Sequence, residues 1–361
     1  MSFERLENET AMAVHAELLD DDRGREVLTV IAKLTWSVSA TGEATISVPG
    51  APVRQMDVWR GEPYASSLRY PSDLWPEKPG TDLLLLGTAH PPADRAVTAH
   101  DVRLRVETVR GVVQKSVRVH GPRVYYPGLT GVVPGPAGRL SPTPLVYELT
   151  HGGADRGDLA NPSIDERNPI GLGFVRDRSR LVGTPAPSIE DAEQPLGSRH
   201  PVAVGFGPIP PQWAPRCHFA GTHDDAWRRE RAPLPPMDRD PRYSSCASPG
   251  LWIEEPLRGD ELIEVTGATP VGLWRFRLPF YHPVFSYRMR GDVRACPTHL
   301  DTLLVDADAG QVELTFRTSI PAPRKVQAIE IVRIEGSTRL SQDVIAAALA
   351  RAVDANEDEE S

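Results

Sequence analysis

Several groups of residues have types and spacings that could do chemistry. In CHFAGTHDD, the residues Cys217, His218, His223, Asp224 and Asp225 lie close together, and CPTH adds Cys296 and His299. Thiolate, imidazole and carboxylate are zinc donors, but the chain holds neither paired CxxC motifs nor HExxH, and the two clusters would have to converge in space. The bland alternative is that His223 and Asp224 hydrogen-bond neighbouring backbone in a loop. Cys217 beside His218 pairs a thiol with a base. Neighbours on a strand point to opposite faces, however, and a small buried cysteine is the commoner arrangement. Ser72-Asp73 sits among prolines, where short polar side chains cap turns, and no GxSxG elbow is present. GLGF (171–174) and KPGTD (78–82) contain glycine but lack the order and spacing of a phosphate-binding loop. The acids of DERN, IEDAE and WIEEP read as solvated charges. The residues therefore predict no catalytic group, no cofactor and no metal, with a metal-dependent enzyme using His223, Asp224 and Asp225 as the enzymatic alternative.

Residues suited to protein binding are better represented. Tryptophan and arginine are frequent anchors of protein interfaces, and they also pack loops. The middle of the chain holds Trp213, Trp227 and Trp252 with Arg216, Arg228, Arg229 and Arg231. Upstream, Trp75, Glu77 and Lys78 form a candidate exposed tip. The candidate interface residues are Trp75, Lys78, Trp213, Arg216, Trp227, Arg228 and Trp252.

The elements that position these residues read mainly as strands. Leu28, Val30, Ala32, Leu34, Trp36 and Val38 alternate with Thr29, Ile31, Lys33, Thr35 and Ser37, the period of a strand with one buried face. Thr41-Gly42 suits a tight turn into a second strand. Val102, Leu104 and Val106 alternate with charged residues, and Arg110-Gly111 can turn that strand back into VVQKSVRVHG. The pattern returns at Trp274, Phe276 and Leu278, at Val312, Leu314 and Phe316, and in AIEIVRIEG. The Leu83–Leu86 run reads as a strand buried on both faces, preceded by a Pro79-Gly80 type II turn that Asp82 caps. The segments are an N-terminal antiparallel β region (1–133), a Pro/Gly-rich loop layer (134–260), a C-terminal antiparallel β region (261–340), and a short helix with an acidic tail (341–361). Ser341 is the N-cap of that helix, and Val344, Ile345, Ala348 and Leu349 are its apolar stripe. The fold class is mainly β, with antiparallel sandwich-like sheets, a long loop-rich middle and one short C-terminal helix.

Composition narrows the partners. The chain of 361 residues carries a net charge of −9 and no basic block, which argues against nucleic acid. Its 36 prolines, about twice the usual ~5% share, favour turns and ordered loops. Three widely spaced cysteines imply no disulfide framework. The opening MSFERLENET is polar, and no apolar run reaches the ~18 to 20 residues of a membrane span. A cytoplasmic protein with a protein partner, and with neither nucleic acid nor membrane, is expected.

An ordered set of short motifs carries a resemblance. It comprises VWRGEPYASSLRYPSDL, EKPGTDLLLLGTAHPP, VHGPRVYYP, YELTHGGAD, NPIGLGF, WAPRCHFAGTHDDAWRRERAPLPP, LRGDELIEVTG, FRLP and LDTLLVDADAGQVELTFR. In this order they resemble the bacterial domain of unknown function 2169 family, from about Phe3 to Gly336. Met237 stands where the family pattern has an aromatic, and THGGAD lacks its alanine-phenylalanine pair. The resemblance implies an accessory role beside type VI secretion modules: a non-enzymatic adaptor or chaperone that binds an effector, PAAR-like or spike protein and helps load it. A structural component of the secretion particle is the alternative. The resemblance supplies no catalytic residues.

Overall fold

The computed structural model describes residues 6–334, apart from positions 9, 130, 159, 199, 282, 290, 291, 297 and 322–328. The helix and acidic tail expected after Ser341 lie outside the described residues.

Alternation becomes strand where it was strongest. The hairpin β1 (Ala13–Asp20) and β2 (Glu26–Val38) leads through Gly42, at φ 88°, into β3 (Ala44–Ile46). A short hairpin, β4 (Val58–Trp59) and β5 (Leu68–Tyr70), precedes β6 (Thr81–Leu86). The long hairpin β7 (Ala99–Thr108) and β8 (Gly111–His120) turns at Gly111, with φ 143°. After the loop layer, which contributes β9 (Ile189–Asp191), α1 (Asp225–Glu230) and β10 (Trp252–Ile253), come β11 (Leu262–Thr266), β12 (Leu273–Arg277), β13 (His299–Asp306) and β14 (Gln311–Pro321).

Two sheets carry the main core. One runs β10-β6-β13-β14-β2-β1, with β3 paired to β2; the other runs β9-β8-β7-β11-β12. Strands from before and after the loop layer are interleaved in both sheets. Leu34 and Trp36 of β2, Leu83 and Leu85 of β6, and Leu314 and Phe316 of β14 belong to one apolar cluster. The second sheet supplies Val102, Leu104 and Val106 of β7, with Trp274 and Phe276 of β12, to the same cluster. This is sandwich packing, with each inner face supplied by every second residue. A third, smaller sheet joins Leu6–Glu7, Ile329–Ile334, Pro283–Met289 and Asp292–Cys296.

The four leucines of β6 are all buried, but to two sides. Leu83 and Leu85 enter the main core, while Leu84 and Leu86 pack with Leu304, Cys246 and Tyr70 on the opposite face. β6 pairs with β13 in parallel and with β10 antiparallel. Its edge is also covered by the loop layer, because Leu83 donates to the Leu251 carbonyl and Leu85 to that of Phe206. Covered edges avoid unwanted strand pairing.

The approach to β6 differs from the sequence expectation. Gly80 does not have positive φ. It is required because β10 passes too close: a Cβ there would lie 2.2 Å from the Ile253 carbonyl oxygen and 3.0 Å from the Trp252 ring. Asp82 does not cap a turn. It is buried and ion-paired.

Candidate protein interface

The outer face of the first sheet, away from the main core, is charged yet buried. On β2, Lys33 is 1% exposed, and on β14 Glu313 and Arg317 are 4% exposed each. The alternation that sends Leu34, Leu314 and Phe316 inward sends these three to the other side. They act as clamps for residues 54–82, which cross this face. Lys33 Nζ lies 2.6 Å from Asp73 and 3.3 Å from Glu313. Arg54 grips Glu313 through both terminal nitrogens, at 2.5 and 2.7 Å. Asp73 also accepts the Arg54 backbone N–H, and the Asp73 N–H bonds the Arg54 carbonyl.

A second clamp lies further along. Lys78 meets Asp82 at 2.6 Å and donates to Thr302 at 2.8 Å. Asp82 also accepts from the Cys246 N–H and the Ser245 hydroxyl. Burial raises the Asp82 pKa, but Lys78 and these donors outweigh it and hold the carboxyl below its ordinary range. Arg317 bonds Asp301 at 2.5 Å and the Trp75 carbonyl. Charges this deep are tolerated because each is paired and hydrogen-bonded.

Between the clamped ends, the β4–β5 hairpin buries Ser67 and Leu68 and exposes its loop, residues 60–65. Ser72 N–H bonds Asp57 at 2.8 Å, closing the base of the hairpin. Ser67 donates its N–H and hydroxyl to Glu148. The extra residue Arg69 makes a bulge, since Val58 pairs with Tyr70 and Trp59 with Leu68. The loop between the strands is ordered: Ser66 Oγ accepts from Gly61 N–H and donates to the Glu62 carbonyl. Ala65 N–H closes a turn on the Glu62 carbonyl, with Pro63 and Tyr64 at its centre. Tyr64 takes φ 63°, a left-handed value that glycine usually supplies there. Its ring meets that of the half-buried Trp59 at a centroid distance of 5.1 Å, and Tyr64 remains 74% exposed. Met56 and Val58, earlier in the same segment, are exposed.

Below, Arg54 stacks over Tyr70 at 3.9 Å and Arg69 approaches the same ring at 5.2 Å, while Tyr70 Oη donates to Asp306. Burial first, and Asp306 second, raise the Tyr70 pKa. A backbone outlier at an exposed aromatic, over a rigid buried base, is the arrangement expected of a preorganised binding surface.

The residues singled out from sequence are dispersed. Trp213, 1% exposed, packs edge-on against Tyr147. Arg216 is buried and donates to the carbonyls of Tyr243 and Ile209. The Lys78 side chain is the buried clamp described above, and of the expected tip only Glu77 is exposed. Trp75 is half-buried between Arg216, Arg239 and Tyr243. Trp252, half-buried on β10, lines an apolar cleft of about 230 Å³ with Arg216 and Phe219. Trp227 lies on α1 and donates its ring N–H to Leu234, and the exposed Arg228 pairs with Asp225. Thus the structure joins Trp75 with Arg216, and Arg216 with Trp252, but leaves Trp227 and Arg228 on their own helix. Sequence reasoning missed Trp59, Arg60, Tyr64 and Arg69 as site residues. Their signal was Trp, Tyr and Arg around a Gly-Glu-Pro turn.

The other chemical candidates have local roles. Asp224 caps α1 by accepting the Trp227 N–H, and His223 contacts the Gly221 carbonyl. Cys217 and His218 lie in a 3₁₀ turn rather than a strand, and His218 faces Glu166 at 3.2 Å. Among the described residues, no three His, Cys, Asp or Glu side chains are grouped to hold a metal. Nor is any described helix long and apolar enough to cross a membrane.

A family model described as an uncharacterized protein conserved in bacteria, domain of unknown function 2169, matches residues 23–317. The chain belongs to the domain of unknown function 2169 family. No curated protein and no solved structure matches it. The stretch matched by the domain of unknown function 2169 model takes in the whole hairpin and its clamps.

Two further motifs of this family member form one knot. His151–Gly152 of THGGAD pairs in parallel with Leu172–Gly173 of NPIGLGF. Asn168 ties them, its side-chain amide donating to Tyr147 O, Thr150 Oγ1 and His151 O. Gly152, at φ 147°, has Asn168 O 2.2 Å from where a Cβ would stand. These glycines serve a close backbone approach, not a phosphate.

Proposed function

We propose that this protein is a non-enzymatic adaptor or chaperone that binds a type VI secretion effector, PAAR-like or spike protein and helps load it. The secretion context comes from the family resemblance. The observation that carries a binding role is the exposed Tyr64 ring on Trp59, held at a strained turn above a buried ionic base. Aromatic anchors on a rigid support lose little conformational entropy when a partner covers them. The protein acts in the cytoplasm, before export of the cargo.

The test is capture from the native host with wild-type protein and with Trp59→Ala/Tyr64→Ala. Wild type is expected to retain a PAAR-like, spike or effector product of its own locus, and the folded variant to lose it. A wild-type protein that captures no such product, or a variant that captures it equally well, contradicts the proposal.

A further inference from the structure

The cations on this hairpin differ from those beneath it. Lys33, Arg54, Lys78 and Arg317 each meet a carboxylate inside the fold. Arg60 and Arg69 are both exposed, and neither forms an ion pair among the described residues. They stand close together, because Arg60 N–H bonds Ser67 O and Arg69 follows two residues later. Glu148 accepts from Ser67, and Asp306 from Tyr70 and the Ala309 N–H; both keep their charge and attract Arg60 without pairing with it. Glu62, in the turn, is exposed. Partial desolvation lowers the Arg60 pKa, Glu148 opposes this, and Arg69 lowers it further. An incoming anion relieves the repulsion between these two guanidiniums, and guanidinium forks take carboxylates in bidentate fashion. The chain as a whole carries −9, and the hairpin holds a spot where two exposed guanidiniums have no ion-pair partner among the described residues. Such a spot favours an acidic ligand by charge complementarity.

We propose that Arg60 and Arg69 receive the carboxylates of an acidic segment of the cargo protein, with an adjacent apolar side chain seated on Trp59 and Tyr64. This rests on the adaptor reading and adds the chemistry of the partner.

The test uses the full-length protein and short fluorescent peptides alternating glutamate with phenylalanine, beside matched glutamine and lysine peptides. The glutamate peptide is expected to bind at least about tenfold more tightly than the other two. Arg60→Glu/Arg69→Glu should weaken it at least about tenfold, and raising salt from about 50 to about 500 mM should weaken it too. Arg60→Gln/Arg69→Gln, which introduces no repulsion, should fall between. Absence of glutamate-peptide binding, equal affinity for the glutamine peptide, or indifference to both arginine variants overturns the proposal. Binding seen only after the acids of the chain's own DANEDEES end are neutralised also overturns it, in favour of self-occupancy. In host capture, Arg60→Glu/Arg69→Glu retaining a cargo that Trp59→Ala/Tyr64→Ala loses removes the acidic segment and leaves the adaptor reading standing. Failure of wild type to capture any locus product removes the adaptor reading, while the peptide titration still decides the chemistry of the hairpin.

Discussion

The ammonium of Lys33 lies 2.6 Å from Asp73, and the same carboxylate oxygen receives the Arg54 backbone N–H at 2.7 Å. One buried oxygen thus joins β2 to both ends of the segment that carries the β4–β5 hairpin. Position and orientation of the Trp59–Tyr64 pair follow from this junction, since residues 54 and 73 bracket it.

Removal of Lys33 leaves two carboxylates buried with less compensation. Lys33→Met is expected to destabilise the fold by about 3–5 kcal/mol, read from urea denaturation. Arg118→Ala, which breaks an exposed pair with Asp101, should cost under about 1 kcal/mol. Equal effects would show that the Lys33 junction is not a structural support.

Tyr64 should show opposed effects on stability and binding. Tyr64→Gly relieves the left-handed strain and is expected to leave stability unchanged or raise it by up to about 1 kcal/mol. The same variant should weaken partner capture, because the ring is gone. Loss of stability without loss of capture would assign Tyr64 to folding.

Gly80→Ala forces a Cβ against the Ile253 carbonyl at 2.2 Å, and the carbonyl belongs to a paired strand. About 1–3 kcal/mol of destabilisation is expected. Gly197→Ala, with nothing within 4 Å, should stay within about 0.5 kcal/mol. Thermal melts of the two variants check this.

Acid should unfold the protein partly through Glu190. Burial raises its pKa, but His120, the Leu196 N–H and Arg123 outweigh that and bring it down to about 2 from an ordinary 4.5. A depressed carboxyl pKa contributes stability that is full above the unfolded value and lost as pH falls through the folded one. The loss therefore runs from pH 4.5 to about 2. Glu190→Gln should flatten the stability profile in that window.

Lys115 gives a rising slope at high pH. Desolvation, only partly offset by Asp191, lowers its pKa to about 8 from 10.5. Between those values the unfolded chain binds more protons, so stability should rise with pH there. Lys115→Met should abolish the rise.

Much of the fold was legible in the sequence. Leu28 to Val38 and Val312 to Phe316 alternate cleanly because each strand has one face in the main core. The β7–β8 hairpin was legible because Gly111 marks its turn. The parallel pairing of β6 with β13 was not, since apolar runs do not reveal their partner across more than two hundred residues. The buried ionic face was equally hidden. Lys33, Glu313 and Arg317 occupy the polar places of alternating strands, where exposure is the usual outcome. Only the return of residues 54–82 across that face buries them. The burial of two candidate interface residues was hidden for a related reason. Trp213 and Arg216 have interface composition, but the loops that carry them fold inward, whereas Trp59 and Tyr64 are held outward by clamps distant in sequence.

A photo-crosslinking residue placed at Tyr64 in the native host tests the central claim most directly. Crosslinks from position 64 to a PAAR-like, spike or effector product of the same locus are predicted, with none from a control at Val271, an exposed apolar position elsewhere. No crosslink at position 64, or the same product captured equally from Val271, would contradict it.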